Sequence, residues 1–249
     1  MISFRELFKT NLRVVYRNRA GVFWNLILPA ALYVALAILP IAKLIGTGVS
    51  YANFLLPGIM ALTIMQSGIY SLAYWLVELK SQGVLKRFLV TPIKKTELVL
   101  SLIAARVLVM IAQVVMLTLI GAVFFNVQVT ANFALVLIFT LLGGFVFLSV
   151  GLLISTLADS YEAAAPITSA IGLPLSFLSS VFYPLEILPS VLQKIANFLP
   201  ITHLADALRA LYLGPANFLE LFTNALVLLI WLLILLGLTF WRLKLETDQ

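Results

Sequence analysis

The chain has 249 residues, 63% hydrophobic and 10% charged, whereas a soluble domain carries about 45–50% apolar and about 25% charged residues. That composition is of an integral membrane protein, and it places the net charge of +6 on loops facing anionic headgroups rather than on a nucleic-acid surface. Cysteine is absent and histidine occurs once, at His203, which leaves no disulfide framework, no thiol nucleophile and no basis for a Cys- or His-rich metal centre.

Residues 1–20 read as a separate element. At 100° per residue, Phe4, Leu7, Phe8, Leu12, Val14 and Val15 fall on one side of a helix, with Arg5, Lys9, Arg13 and Arg17 on the other. This pattern predicts a helix lying in the headgroup layer, apolar side down; an ordinary surface helix is the alternative. Five cations in the first nineteen residues, without a short apolar run ending at a small-residue site, predict no cleaved leader.

About 20 predominantly apolar residues are needed to cross roughly 30 Å of hydrocarbon, and lipid forces such a segment into a helix. Six segments qualify, near Gly21–Ala42, Asn53–Val77, Leu98–Phe125, Phe133–Thr156, Ala163–Tyr183 and Leu219–Trp241. The expected fold class is therefore an all-α integral membrane protein with six transmembrane helices.

Between the second and third segments, residues 79–97 form a basic, partly amphipathic connection containing VLKRFLVTPIKKT. A short helix there groups Val84, Leu85, Phe88 and Leu89, with Lys86 and Arg87 mostly turned away. Pro92 pushes Thr91 toward an extended conformation and ends the helix. An apolar face on such a loop either fills a groove in another protein or rests on headgroups.

Inside the third segment stands Arg106, where an ionisable group costs at least about 2.5–3.5 kcal/mol unless it snorkels or is paired. Glu78, at the end of the second segment, is the nearest acid in sequence and is the expected partner.

The connection 184–218 is too apolar for a solvated loop. ILPSVLQKIANFL and THLADALRALYL each carry apolar residues at helical spacing over about 12 residues, too few to span, and so predict a re-entrant or interfacial hairpin. His203, Asp206 and Arg209 recur at three-residue intervals and share a helical face; Glu186 lies between Pro184 and Pro189. These charges are expected to form a structural cluster capping the hairpin, since one His and one Asp without a nucleophile make a poor active site.

Twelve of the sixteen cations sit before the first segment, between the second and third, or after the last. The positive-inside rule then puts both termini in the cytoplasm, as an even number of crossings requires.

The amphipathic N-terminus, FLLPGIMAL opening the second segment, ELKSQGVLKRFLVTP after it, and FYPLEILPSVLQKIANFLPITHLADALRALYLG before the last together resemble the type-2 ABC exporter permeases. The resemblance covers essentially the whole chain and is nearest to the short bacterial permeases for drugs, antibiotics and surface glycans. It implies a single transmembrane domain over 1–249 in the inner membrane of a prokaryote, with residues 1–20 as an elbow helix. It also implies a coupling helix contacting an ATP-binding subunit through Gly83, Leu85, Lys86, Leu89, Thr91 and Pro92. A second contact is implied at LADSYEAAAP, through Asp159 and Glu162, and external re-entrant helices over 184–213. The chain has no GxxxxGK[ST] loop, so ATP and Mg are expected on the partner, in two copies, beside a second permease copy that is identical or paralogous. No cofactor, metal or catalytic residue is expected on this chain. Two rival readings are an ion-coupled secondary transporter and a membrane-embedded enzyme using His203 and Asp206.

Overall fold

The computed structural model describes residues 4–39, 50–83, 95–130, 132–214 and 217–247. Among these the chain is helical, without strands. The helices are α1 (Phe4–Arg17), α2 (Arg19–Ala37), α3 (Tyr51–Ser81), α4 (Lys95–Phe125), α5 (Phe133–Leu157), α6 (Tyr161–Phe177), α7 (Ser190–Ala196), α8 (Pro200–Leu213) and α9 (Phe218–Thr247), with a 3₁₀ turn at Leu185–Ile187. Five of them, α2, α3, α4, α5 and α9, are long and apolar enough to cross a membrane. The remaining expected crossing, Ala163–Tyr183, is helical only as α6, whose 17 residues end at Phe177 just after Pro174. Its length of about 26 Å lies at the lower limit for a span.

α3 is the centre of the bundle. Every side chain from Phe54 to Met65 is buried, as expected of a helix that is apolar all round. α3 starts at Ser50, whose side chain accepts from the Asn53 amide at 3.3 Å and so satisfies a free helix-end donor. It packs chiefly on α5 and also touches α2, α4, α6 and α8, while α9 lies outside against α5 and α8.

The α3–α5 crossing is close because glycine stands on both sides. A Cβ on Gly151 would lie 2.5 Å from the Gly68 carbonyl oxygen and 2.9 Å from that of Ile69. A Cβ on Gly68 would lie 2.5 Å from the Phe147 Cβ. Small residues let membrane helices approach until backbone packs on backbone.

A polar node ties α2 to this core. α2 contains a π turn at Phe23–Ile27, and π turns leave carbonyls out of the regular ladder. The Asn25 carbonyl accepts from Gln113 Nε2 of α4 at 2.6 Å. Ser67 of α3 lies 3.0 Å from Gln113 Oε1 and 3.2 Å from Asn25 Oδ1. Elsewhere the Thr118 hydroxyl donates to the Val114 carbonyl, so Tyr212 must donate to Thr118, at 2.7 Å, joining α8 to α4.

The amphipathic N-terminal helix is present as α1, and it packs on protein. Leu7 joins Leu98 and Leu102 beside Trp75, and Asn11 is buried where its Nδ2 donates to Ser101 Oγ at 3.0 Å. Phe4 and Val14 of the expected apolar face stay exposed.

The 184–213 stretch forms the two expected short helices. α8 is buried through Ile201, Leu204, Ala205, Leu208 and Leu211 and packs between α3, α5 and α9, whereas α7 exposes Val191 and Ile195. At about 21 Å, the 14 residues of α8 fall short of a bilayer core.

Candidate functional site

Contacts sort the helix ends onto two sides. α1, the end of α3, the start of α4 and the α5–α6 turn lie together on the basic side. The α8 helix, the start of α3 and the turn at Ser179–Tyr183 lie together on the other.

On the basic side, α3 stops at Gln82 and Gly83. The Gly83 amide bonds the Lys80 carbonyl and Gln82 bonds that of Glu78, with Gly83 at φ 66°, the left-handed conformation that ends helices and favours glycine. The proposed contacts Leu85, Lys86, Leu89, Thr91 and Pro92 lie outside the described residues.

The base of this connection is fastened to the α5–α6 turn. Lys80 Nζ lies 2.7 Å from Asp159 Oδ1, and beneath the pair Val77, Ala158 and Ala164 form a small buried cluster flanked by Tyr74 and Ile167. Thr168 donates to the Ala164 and Ala165 carbonyls, so Tyr74 donates to Thr168, at 2.7 Å, one turn deeper. Ser160 caps α6 by accepting from the Ala163 amide at 3.3 Å. Asp159, expected at the surface of a partner, thus also makes an internal link, while Glu162 is exposed in the first turn of α6.

The hydrogen bond and charge of Lys80 hold the Asp159 carboxyl below the usual carboxylate range. A lowered folded pKa favours the linked state above the ordinary carboxylate pKa, and that contribution disappears as pH falls through the folded value. Hydrogen exchange at the α5–α6 turn should therefore be slower in the wild type than in Asp159→Asn at neutral pH. The two should converge on acidification below about pH 4; equal exchange at pH 7 would show that the pair links nothing.

Glu78 and Arg106 do not pair among the described residues. Glu78 accepts from Gln82 Nε2, and Arg106 has no ion-pair or hydrogen-bond partner there. The reason is axial: Glu78 lies about 4.5 Å from the end of α3, and Arg106 about 16 Å into α4 from the same side.

On the opposite side, Asp206 and Arg209 pair at 2.6 Å. Ser180 donates to Asp206 at 2.7 Å, Arg209 Nη2 donates to the Ser180 carbonyl at 2.6 Å, and the guanidinium lies 4.0 Å from the centre of the Phe54 ring. The group fastens α8 to the Ser179–Tyr183 turn and to α3. Glu186 is exposed on the rim of a cavity of about 600 Å³ that also includes Asp206, Arg209, Glu220 and Asn224.

His203 takes no part in this group. Its Nε2–H donates to the Asn197 carbonyl at 2.9 Å, and Nδ1 lies 2.8 Å from the Asn224 side-chain amide. A neutral ring requires Asn224 to turn its NH₂ toward Nδ1. His203 and Asp206 are thus each engaged by other partners, and the two side chains are not brought against each other. No cluster of three or more metal-ligating residues occurs among the described residues.

The Asn25, Ser67 and Gln113 node and the Asn11–Ser101 bond were not singled out from the sequence. Their signal was present: polar side chains inside apolar spans face the bundle interior and find partners there.

Five helices long and apolar enough to cross a membrane, packed around α3, make the chain a polytopic helical membrane protein in class. The chain belongs to the ABC-2 family of transporter proteins, whose family model matches residues 41–241. It is similar to "ABC transporter G family member 20" of Dictyostelium discoideum, 28% identical over 188 residues, or 75% of this chain and 26% of that protein. It is also similar to "Nodulation protein J" of Rhizobium leguminosarum bv. trifolii, 29% identical over 67% of this chain and 64% of that protein. "Inner membrane transport permease YadH" of Escherichia coli (strain K12) is 24% identical over 83% of this chain and 82% of its own length. The chain thus spans about a quarter of the Dictyostelium relative and just under two thirds of the nodulation protein. It is a multi-pass membrane protein of that transporter family.

Proposed function

We propose that the chain is the permease of an ATP-driven exporter that moves a hydrophobic or amphipathic molecule, such as a drug, an antibiotic or a lipid-linked glycan, out of the cytoplasm or inner leaflet. ATP and Mg are bound by a separate subunit in two copies, which face two permease copies, identical or paralogous. Six helices cross a prokaryotic inner membrane with both termini cytoplasmic, α6 and the turns to Tyr183 making the fifth crossing. α1 serves as the elbow helix, and α7 and α8 form an external re-entrant hairpin held by Asp206, Arg209 and His203, with Glu186 at its rim.

One observation carries the mechanical part of this reading. The helix leading into residues 84–94 is bound to the α5–α6 turn by Lys80–Asp159 and by the Val77, Ala158 and Ala164 cluster. A coupling loop mounted on two helices at once moves them together, so displacement by an ATP-driven partner is transmitted as a rigid-body shift rather than absorbed by a loop. Gly83, Leu85, Lys86, Leu89, Thr91 and Pro92 supply the contact to that partner, with Glu162 and the outer edge of Asp159 as the second.

The test is reconstitution of the chain in liposomes with and without its ATP-binding subunit, using a fluorescent amphipathic dye as cargo. Dye movement should require both proteins and ATP. Movement by the chain alone under an imposed ion gradient would overturn the reading in favour of an ion-coupled carrier, and turnover of a substrate by the isolated chain, lost in His203→Ala, in favour of an enzyme.

A further inference from the structure

An apolar pocket of about 150 Å³ opens between four helices on the basic side of the bundle. α4 and α9 form its walls and α3 and α5 its floor, through Leu102, Leu232, Leu236, Leu72, Leu148 and Phe145. α4 and α9 both pack on α5, and the pocket lies between them where they flank it.

Depth and polarity define the occupant. Counted from the basic-side ends of their helices, the lining residues lie about 6–23 Å deep at 1.5 Å per residue, most of them in the basic-side half of the bundle. The one polar side chain on the lining, Ser149, gives its hydroxyl hydrogen to the Phe145 carbonyl at 2.8 Å. A water molecule needs two to four polar partners, which this lining does not offer, and a dry apolar cavity of about this volume accepts a hydrocarbon guest. At this depth in a bilayer the hydrocarbon at hand is the acyl chain. Val99 and Phe145 are exposed at the mouth, so a chain can enter sideways from the leaflet.

A cation lies at headgroup level on α9. Arg242 stands six residues beyond Leu236 on α9, about 9 Å nearer the basic-side surface, and its Nε is buried without a hydrogen-bond partner among the described residues. The Arg242 side chain as a whole is partly exposed, and a guanidinium at headgroup level suits a phosphate oxygen.

We propose that this groove is a binding site for a resident phospholipid of the basic-side leaflet, with one acyl chain between α4 and α9 and the phosphate at Arg242. The site lies on the flank formed by α4, α5 and α9, and it requires neither the exporter reading nor a particular cargo. A lipid here fills the space between α9 and α4, so its loss leaves α9 held by α5 and α8 alone.

Native mass spectrometry of the full chain extracted in mild detergent, supplied with phosphatidylglycerol or phosphatidylcholine, tests the site. The wild type should retain about one phospholipid per chain and prefer the anionic lipid. Leu236→Trp, which fills the groove, should abolish retention. Arg242→Gln should weaken retention of phosphatidylglycerol by about fivefold, the value of one cation near a charged surface. Unchanged retention in both variants overturns the site. Because a filling variant can misfold, wild-type protein in nanodiscs is also exposed to a phosphatidylglycerol with a diazirine on its acyl chain. Crosslinks to peptides containing Leu102, Phe145 and Leu236 support the site, and crosslinks confined to other exposed faces refute it.

Discussion

Leucine in place of Gly151 should all but eliminate folded protein from the membrane. At this position a Cβ meets the carbonyl oxygens of Gly68 and Ile69 at 2.5 and 2.9 Å. Those atoms belong to the backbone of the central helix and cannot rotate aside as a side chain would. Ordinary overpacking costs about 1–3 kcal/mol because neighbouring side chains shift; here two whole helices must separate, and α3 is the element on which α2, α4, α6 and α8 also pack. At about 1.4 kcal/mol per factor of ten, a cost above that range lowers the ratio of folded to unfolded chain more than about a hundredfold, enough to clear a marginally stable protein from the membrane. Fluorescence-detected size-exclusion chromatography of a tagged chain measures it. Gly237→Ala on α9 is the control, because a Cβ there meets nothing within 4 Å. If Gly151→Leu gives the same monodisperse yield as Gly237→Ala, the close crossing of α3 and α5 is not what holds the bundle together.

Changing Leu85 and Leu89 together to Asp should leave the five long helices inserted and abolish ATP-driven transport. Both residues lie in a connection between spans, so the substitution puts no charge in hydrocarbon. In the proposed docked state each carboxylate enters an apolar groove of the ATP-binding subunit unpaired, and burying an unpaired charge costs several kcal/mol. Two such penalties lower binding of the subunit by well over about a hundredfold, so co-purification, stimulated ATP hydrolysis and cargo movement should fall together. A variant that still binds its ATPase and transports normally would show that residues 79–97 are not the coupling loop. Loss of monodisperse protein would instead assign these leucines to the bundle itself.

These two predictions draw on different layers of information. The leucines were legible in the sequence because an amphipathic stretch between two apolar segments stands out by composition. The role of Gly151 was not legible. Glycines at 143, 144 and 151 are common in membrane helices, and only the placement of α3 against α5 shows which of them faces a backbone. The same holds for charge. Asp159 was singled out as a surface contact, and the structure adds its bond to Lys80, a residue 79 positions earlier. Glu78 and Arg106 looked like partners by sequence order, but axial depth separates them. His203 and Asp206 share a helix, yet each side chain turns to a different neighbour, Asn224 with the Asn197 carbonyl for one and Ser180 with Arg209 for the other.

By itself the sequence determined the helical class, five of the six apolar segments as long membrane-crossing helices, the amphipathic N-terminal helix, the short helices before the last span and the uneven distribution of cations. All of these follow from one-dimensional pattern, because hydrocarbon thickness and the helical repeat act on a segment independently of its neighbours. Only the tertiary structure decided the close α3–α5 crossing, the Asn25, Ser67 and Gln113 node, the link from Lys80 to Asp159 and the groove between α4 and α9. Those depend on which faces of separate helices meet and at what depth, and within lipid that is settled by shape and hydrogen bonding between helices rather than by hydropathy, which is nearly uniform along them.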